Sequence, residues 1–492
     1  MTRPLDSVPS RRRFDSSRGS VLIVALLISM IIAISLGSYI SLGRHTLDMA
    51  NRAYYNNVAM NLAETGLENG LYSFNRFKTT GNLSEWGDWT GPADSGDAAQ
   101  LWGGFAYEGG NTGSVRVYVD DYTSSTPTVL ARSTVALHRG APLEKWIRVT
   151  LIKRSKFELG MVARTITMSG GNVTLDSYDS RDGTYNQDLG GGKYNRKAGI
   201  TVGSTSLEDD TFNLSNSTVN GYVSVGSPTY DGLKLGPNAS IGEIGSTGID
   251  YERVNRDFRM DFDDEKYPTT PSGTPSLGSI NNTTRLGATT GVRGQNLAGK
   301  TNVQYVYASD ITLSGGKSLT IGRAADGTAS PVNLVIIITK TSGDVVKVSG
   351  NSSTIIDVLP GSSLQIYTAG DVSIAGGGIA NANEPANFML FGTRPQGSSP
   401  PQDINISGNG NLSAVVYAPG ADVTLNGGGS SGHVYGAVVG NTVKLTGGSN
   451  FHYDEALKDL DLGDTFRLHT WQELTTADQR DSFRSKLEFI QE

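Results

Sequence analysis

From Ser20 to Gly43 the chain carries no charged side chain, and nearly every position of SVLIVALLISMIIAISLGSYISLG is apolar or small. About 20 apolar residues in a helix cross the ~30 Å hydrocarbon core of a bilayer, so this run predicts a membrane-length helix. The apolar pattern then changes period rather than stopping. Leu47, Ala50, Tyr54, Val58, Leu62, Leu67, Leu71 and Phe74 recur at steps of three to five, with Arg44, Asp48, Arg52, Glu64 and Glu68 between them. Such a stripe marks an amphipathic helix. Together the two runs predict one helix over 20–77, about 85 Å long at ~1.5 Å per residue, with Leu47, Ala50, Tyr54 and Val58 contacting an exported body. Gly66 and Gly70 admit two readings. One is a shallow notch for a closely packed neighbour; the other is a local fray costing about 1 kcal/mol each relative to alanine.

Beyond residue 80 the period shortens to two. WGGFAYEG, SVRVYVDDY, TVLARSTVALHR and KWIRVTLIK alternate apolar and polar positions between Gly, Ser, Thr and Pro clusters. They predict a small antiparallel sheet over 78–156, beside the helix. From Phe157 to His452 a loose unit repeats: apolar-x-apolar, a small residue, then usually glycine. It occurs at Ile166, Ile311, Val346, Val372, Ile404, Val423 and Val443, and the last three start 19 and 20 residues apart. A short strand ending in such a corner cannot bury its apolar face alone and must stack on its own kind. The expected fold is mainly β with a long N-terminal helix, and its head over 157–452 is a right-handed β-helix or similar solenoid. Irregular spacing of the early repeats leaves a β-sandwich as the alternative. Thr269–Gly291 has no apolar periodicity and reads as a surface loop. The acidic run Asp257–Glu265 reads as a solvated turn or strand edge, and residues 453–492 as short helices capping the solenoid or lying against it.

Composition agrees with a β body, since 62 of 492 residues are glycine. Cysteine is absent, so disulfides contribute nothing and stability must come from a long stacked core. The net charge of −7 argues against broad nucleic-acid binding. The charge that matters is local. Arg3, Arg11, Arg12, Arg13 and Arg18 outnumber Asp6 and Asp15 ahead of the apolar run. The positive-inside bias then holds the N-terminus in the cytoplasm and sends the rest across the membrane.

The apolar run exceeds the ~7–15 residues of an ordinary signal core. Two readings remain: a plain signal anchor, or a leader, residues 1–19, removed on the cytoplasmic side just before the run. The order basic leader, Gly19, Ser20 and apolar helix suits the second. RGSVLIVALLISMIIAISLGSYIS resembles a type IV prepilin N-terminus, and AETGLENGLYSF (63–74) is similar to the signature of PilX-type minor pilins. The resemblance implies cleavage between Gly19 and Ser20 by prepilin peptidase, methylation of the new amino group, and partners among other pilins or pseudopilins in the bacterial inner membrane. Ser20 stands where major pilins usually have phenylalanine. Val24 stands at the register position where they carry glutamate. That departure points to a minor, tip or initiating subunit. LDSYDSRDGTYN (175–186) and the stretch 411–457 resemble the two ends of exported domains found fused to PilX-type N-termini.

Catalytic signals are sparse. Asp176, Asp179 and Asp182 form the best carboxylate cluster, but their spacing fits neither a glycosidase pair nor an EF-hand loop. Turn carboxylates bonded to their own backbone explain them better, with calcium as the rival. His433, His452, Asp454 and Glu455 invite a metal, against a structural histidine at the end of the solenoid. No HExxH sequence occurs. The expectation is a non-enzymatic minor pilin-like subunit of a type IV pilus or type II secretion pseudopilus, requiring no cofactor and displaying its head at the tip. A membrane-anchored adhesin, or an anchored carbohydrate-active enzyme, are the alternatives.

Overall fold

The computed structural model describes residues 17–488 except 81, 92–95, 125, 154, 170–172, 298–299, 376, 382–383, 408–411, 427–431, 448 and 461–465. The basic leader therefore lies outside the described residues up to position 16. The chain divides into two compact units, Met1–Ile152 with Thr465–Glu492, and Lys153–Asp464.

The first unit is built on one helix, α1 (Ser17–Thr80), about 96 Å long at ~1.5 Å per residue. Strands β1 (Ala98–Tyr107), β2 (Asn111–Asp120), β3 (Thr128–Ala136) and β4 (Leu143–Lys153) pair antiparallel in sequence order. Alternation sends Val115, Val117, Val129, Ala131, Ile147 and Val149 to the face that meets the helix. The helix answers with Leu62, Ala63, Leu67 and Phe74, and burying each of the larger side chains is worth about 1.5–3 kcal/mol. Gly66 and Gly70 form the notch. A Cβ on Gly66 would lie 2.5 Å from Val115 Cγ2, and one on Gly70 3.0 Å from Val117 Cγ1.

Contact begins further along than the stripe suggested. Leu47 is 65% and Tyr54 63% exposed, Ala50 is exposed and Val58 half-buried. The first anchored residues are Tyr55, whose hydroxyl donates to Glu108 O at 2.8 Å, and the buried Ala59.

The C-terminal reading is also corrected. Phe466–Glu473 is a strand beside β4 at the edge of this sheet, followed by one helix, α2 (Ala477–Glu488). Leu474 N donates to Trp146 O at 2.9 Å, and Lys145 pairs with Glu473 at 2.7 Å. Phe466 closes on Phe74 with ring centroids 4.8 Å apart. An aromatic anchor for the helix outweighs the local helical leaning of this polar segment.

The second unit stacks short parallel strands. All seven repeats fall on one column of buried side chains: Ile311, Val346, Val372, Ile404, Val423, Val443 and then Ile166, each in register with the next. Ile280 extends the column at one end, and Phe212 and Leu233 at the other. The first repeat in sequence thus stacks after the last. Strand β5 (Met161–Met168) pairs with His433–Leu445 on one side and with Ile200–Ser204 and Phe212–Ser215 on the other. Strand β6 (Thr174–Tyr178) likewise sits between Asn450–Asp454 and Thr218–Val225. Because His433–Leu445 and Thr218–Val225 each pair on two faces, six strands close a parallel ring. Among the described strands of this unit, antiparallel pairing joins only Asp188–Gly190 to Lys193–Tyr194 and Val292–Arg293 to Gln304–Ala308. A Greek-key sandwich needs antiparallel strands throughout, so that alternative is overturned.

Entering the stack in the middle obliges the chain to travel to its far end. Residues 256–278 make that journey. Phe258 N donates to Val225 O, Gln396 N to Asp264 at 2.9 Å, Ala369 N to the Tyr267 hydroxyl at 3.1 Å, and Leu277 N to Tyr307 O at 2.8 Å. Glu265 pairs with Lys156. Asp257–Glu265 is therefore part of a strap across successive tiers rather than a turn, with Asp257, Asp261, Asp263 and Asp264 exposed to solvent as expected. Thr269–Gly291 ends the strap and supplies the strands Ser279–Ile280 and Thr284–Leu286 of the terminal tiers.

Candidate functional site

Two features stand out, one in each unit. On α1, every residue from Val21 to Tyr54 is exposed, including large apolar side chains from Val21 to Leu42. The stretch has an 18-residue window of mean hydropathy 2.7, which makes this the one helix among the described residues long and apolar enough to cross a membrane. Gly19 and Ser20 lie in the first turns of the helix. Val24 follows within the exposed run at 53% exposure.

In the second unit a polar column stands on the parallel stack. Tyr435, His452 and Asp176 are in register on successive strands. They alternate with Val434, Phe451, Leu175 and Tyr453, which fill the core, so the polar side chains point away from it. They are nonetheless covered: Asp176 is 0% and His452 1% exposed. The cover is the segment 179–197, whose Tyr185 ring lies 3.8 Å from that of His452. Asn195 pins the segment down through Nδ2 bonds to Asp179 O and Gly183 O, both 2.8 Å.

Asp176 organises the column. Its Oδ2 accepts from Arg196 Nε at 2.5 Å and from the Tyr185 hydroxyl at 2.9 Å. Its Oδ1 meets His452 Nδ1 at 2.5 Å, and His452 Nε2 meets His433 Nδ1 at 2.7 Å. An ionised carboxylate accepts only, so His452 Nδ1 carries the hydrogen. His452 Nε2 then accepts from His433 Nδ1–H, which leaves a lone pair on His433 Nε2. Burial holds His433 below the usual histidine range, with His452 adding to the shift and Asp176 opposing it. Burial also raises Tyr185 and Tyr178, and lifts Tyr435 to about 12. The column is a hydrogen-bonded relay ending in a half-buried imidazole.

In this geometry the carboxylates singled out for ion binding turn to other partners. Asp179 caps the short helix Ser180–Asp182 and pairs with Arg181 at 2.7 Å, while Asp182 pairs with Lys197 at 3.1 Å. With Asp176 turned to Arg196, the three carboxylates do not converge. His433 and His452 do meet, but Asp454 accepts from Ser180 N and Ala456 N, and Glu455 from the Ser177 hydroxyl. Among the described residues no three His, Cys, Asp or Glu side chains are placed so that they could hold one metal ion.

Residues 304–460 match a family described as a domain of unknown function, DUF7305. The matched span carries six of the seven column repeats and both histidines, and leaves out Asp176, β5 and β6. No curated protein matches the chain. No solved structure matches it either.

Sequence reasoning grouped His433 with His452 and singled out Asp176 apart from them, but did not join the aspartate to His452, 276 positions away. The shared signal is faint: Val434-Tyr435-Gly436, Phe451-His452-Tyr453 and Leu175-Asp176-Ser177 each flank a polar or aromatic residue between core positions. Such triplets align only once the parallel order of the strands is known.

Proposed function

We propose that this chain is a minor pilin-like subunit, held in the bacterial inner membrane by α1 and assembled through it into a type IV pilus or a type II secretion pseudopilus. Its N-terminus is cytoplasmic and its β body is exported. The carrying observation is the division of α1: exposed and apolar from Val21 to Leu42, then packed on its own sheet from Ala59 onward. A helix exposed over this length needs a second environment, and lipid followed by neighbouring helices meets that need. In this reading prepilin peptidase cuts between Gly19 and Ser20, and Val24 sets the register without the usual carboxylate. The in-register parallel column supports a right-handed β-helix as the form of the head, and its bulk favours a tip position. The reading assigns the chain no catalytic step, cofactor or nucleic-acid partner.

Mass spectrometry of the mature N-terminus tests this directly. The expected product begins with N-methylated Ser20 and is lost in a Gly19→Arg variant. An intact leader in the wild-type chain would overturn filament assembly and favour a membrane-anchored adhesin.

A further inference from the structure

Lys300, Glu384 and Asn387 converge within the β body. Lys300 Nζ donates to Asn387 Oδ1 at 2.9 Å, across 87 positions of sequence. Asn387 Nδ2 in turn donates to Glu384 Oε2 at 2.7 Å. A carbonyl bond of about 1.2 Å then places Nζ within about 4.1 Å of Asn387 Cγ. Both partners are held by backbone. Asn387 is buried and ends the short helix Pro385–Asn387, directly before the core strand Phe388–Gly392. Lys300 exchanges backbone bonds with Leu297, whose carbonyl accepts from Gln365 Nε2 on the strand Ser363–Thr368. Burial lowers the Lys300 pKa, against a smaller opposing influence of Glu384.

The bland reading is a half-buried lysine satisfied by an amide. Two details fit it poorly. The carboxylate of the exposed Glu384 binds the amide nitrogen rather than the ammonium, although a direct pair would best compensate a partly desolvated cation. Desolvation also increases the neutral amine, which is the nucleophilic form.

We propose that Lys300 and Asn387 become joined by an intramolecular isopeptide bond, with Glu384 carrying the proton. Neutral Nζ attacks Asn387 Cγ, and its excess proton passes to the Glu384 carboxylate. The tetrahedral carbon collapses with cleavage of the Cγ–Nδ2 bond, and Glu384 returns the proton to Nδ2. One C–N bond forms, one breaks, and one ammonia leaves, with no oxidant or co-reactant. Fixed proximity supplies the driving geometry, since well-oriented intramolecular groups reach effective molarities on the order of 10⁵ M or more. In a chain without cysteine, the bond covalently ties the segment around Lys300 to the turn before Phe388.

Peptide mapping by mass spectrometry of the folded full-length chain, purified in detergent, decides the matter. The expected result is a branched peptide linking Lys300 to Asn387, lighter by one ammonia than its two parts and resistant to trypsin after Lys300. It should vanish in Lys300→Arg, and in Glu384→Gln that retains the wild-type circular dichroism spectrum. Recovery of separate, unmodified Lys300 and Asn387 peptides from the wild-type protein would overturn the proposal, whatever the variants do. A wild-type yield of the branched peptide in Glu384→Gln would overturn the role given to Glu384.

Discussion

His433 is the residue at which the buried relay meets solvent, and its protonation has a predictable sign. The groups facing the relay are Asp176, Arg196, Tyr185 and Tyr435. Burial depresses the folded-state pKa of His433, whereas the unfolded chain titrates at about 6.5. Above that value both states are neutral at this site. Below it the unfolded state takes up the proton first, so stability is lost as pH falls from about 6.5 through the depressed folded value. The melting temperature of the body should therefore decline between about pH 7.5 and about pH 5.5. His433→Phe should flatten part of that decline. A wild-type profile indistinguishable from that of the variant would remove His433 from the balance. The residues of this relay were visible in the sequence as separate polar positions. The meeting of Asp176 with the two histidines was not, because it depends on which strands become neighbours.

At the scale of the element, α1 shows how far local pattern reaches. Its existence and apolar first half follow from composition alone. Where its contact with the sheet begins does not, because every residue from Val21 through Tyr54 is exposed whatever face it lies on, whereas Leu62, Leu67 and Phe74 of the same stripe are buried against the sheet. The glycines settle which face is used. Gly66→Ala should gain about 1 kcal/mol in helix propensity but lose about 1–3 kcal/mol to overpacking against Val115. The expected outcome is net destabilisation in thermal denaturation, relieved when Val115→Ala is added. Stabilisation by Gly66→Ala alone would show that the notch closes without cost.

For the whole molecule, the deciding fact is that the ends of each unit are distant in sequence. The strand Phe466–Glu473 completes the sheet that packs on α1, so a chain truncated after Leu460 should lose the unfolding transition of the helix–sheet unit. The transition of the β body should persist, because its column closes between Val443 and Ile166. Differential scanning calorimetry separates the two. Loss of both transitions would show that the units do not unfold independently.

The chain's own order of residues determined the membrane-length helix, the mainly β body and the side chains of its central column. Each depends on a periodicity that a strand or helix imposes locally, with apolar residues on one face and solvent on the other. The tertiary structure alone decided that the first repeat stacks behind the last and that the acidic run is a strap. It also placed the C-terminal segment with the first sheet, and Asp176 against two distant histidines. Parallel pairing accepts any strand of matching pattern as a neighbour. Nothing local distinguishes Ile311 from Ile166 as the partner of Val443, and the choice rests on closing the stack and burying its ends.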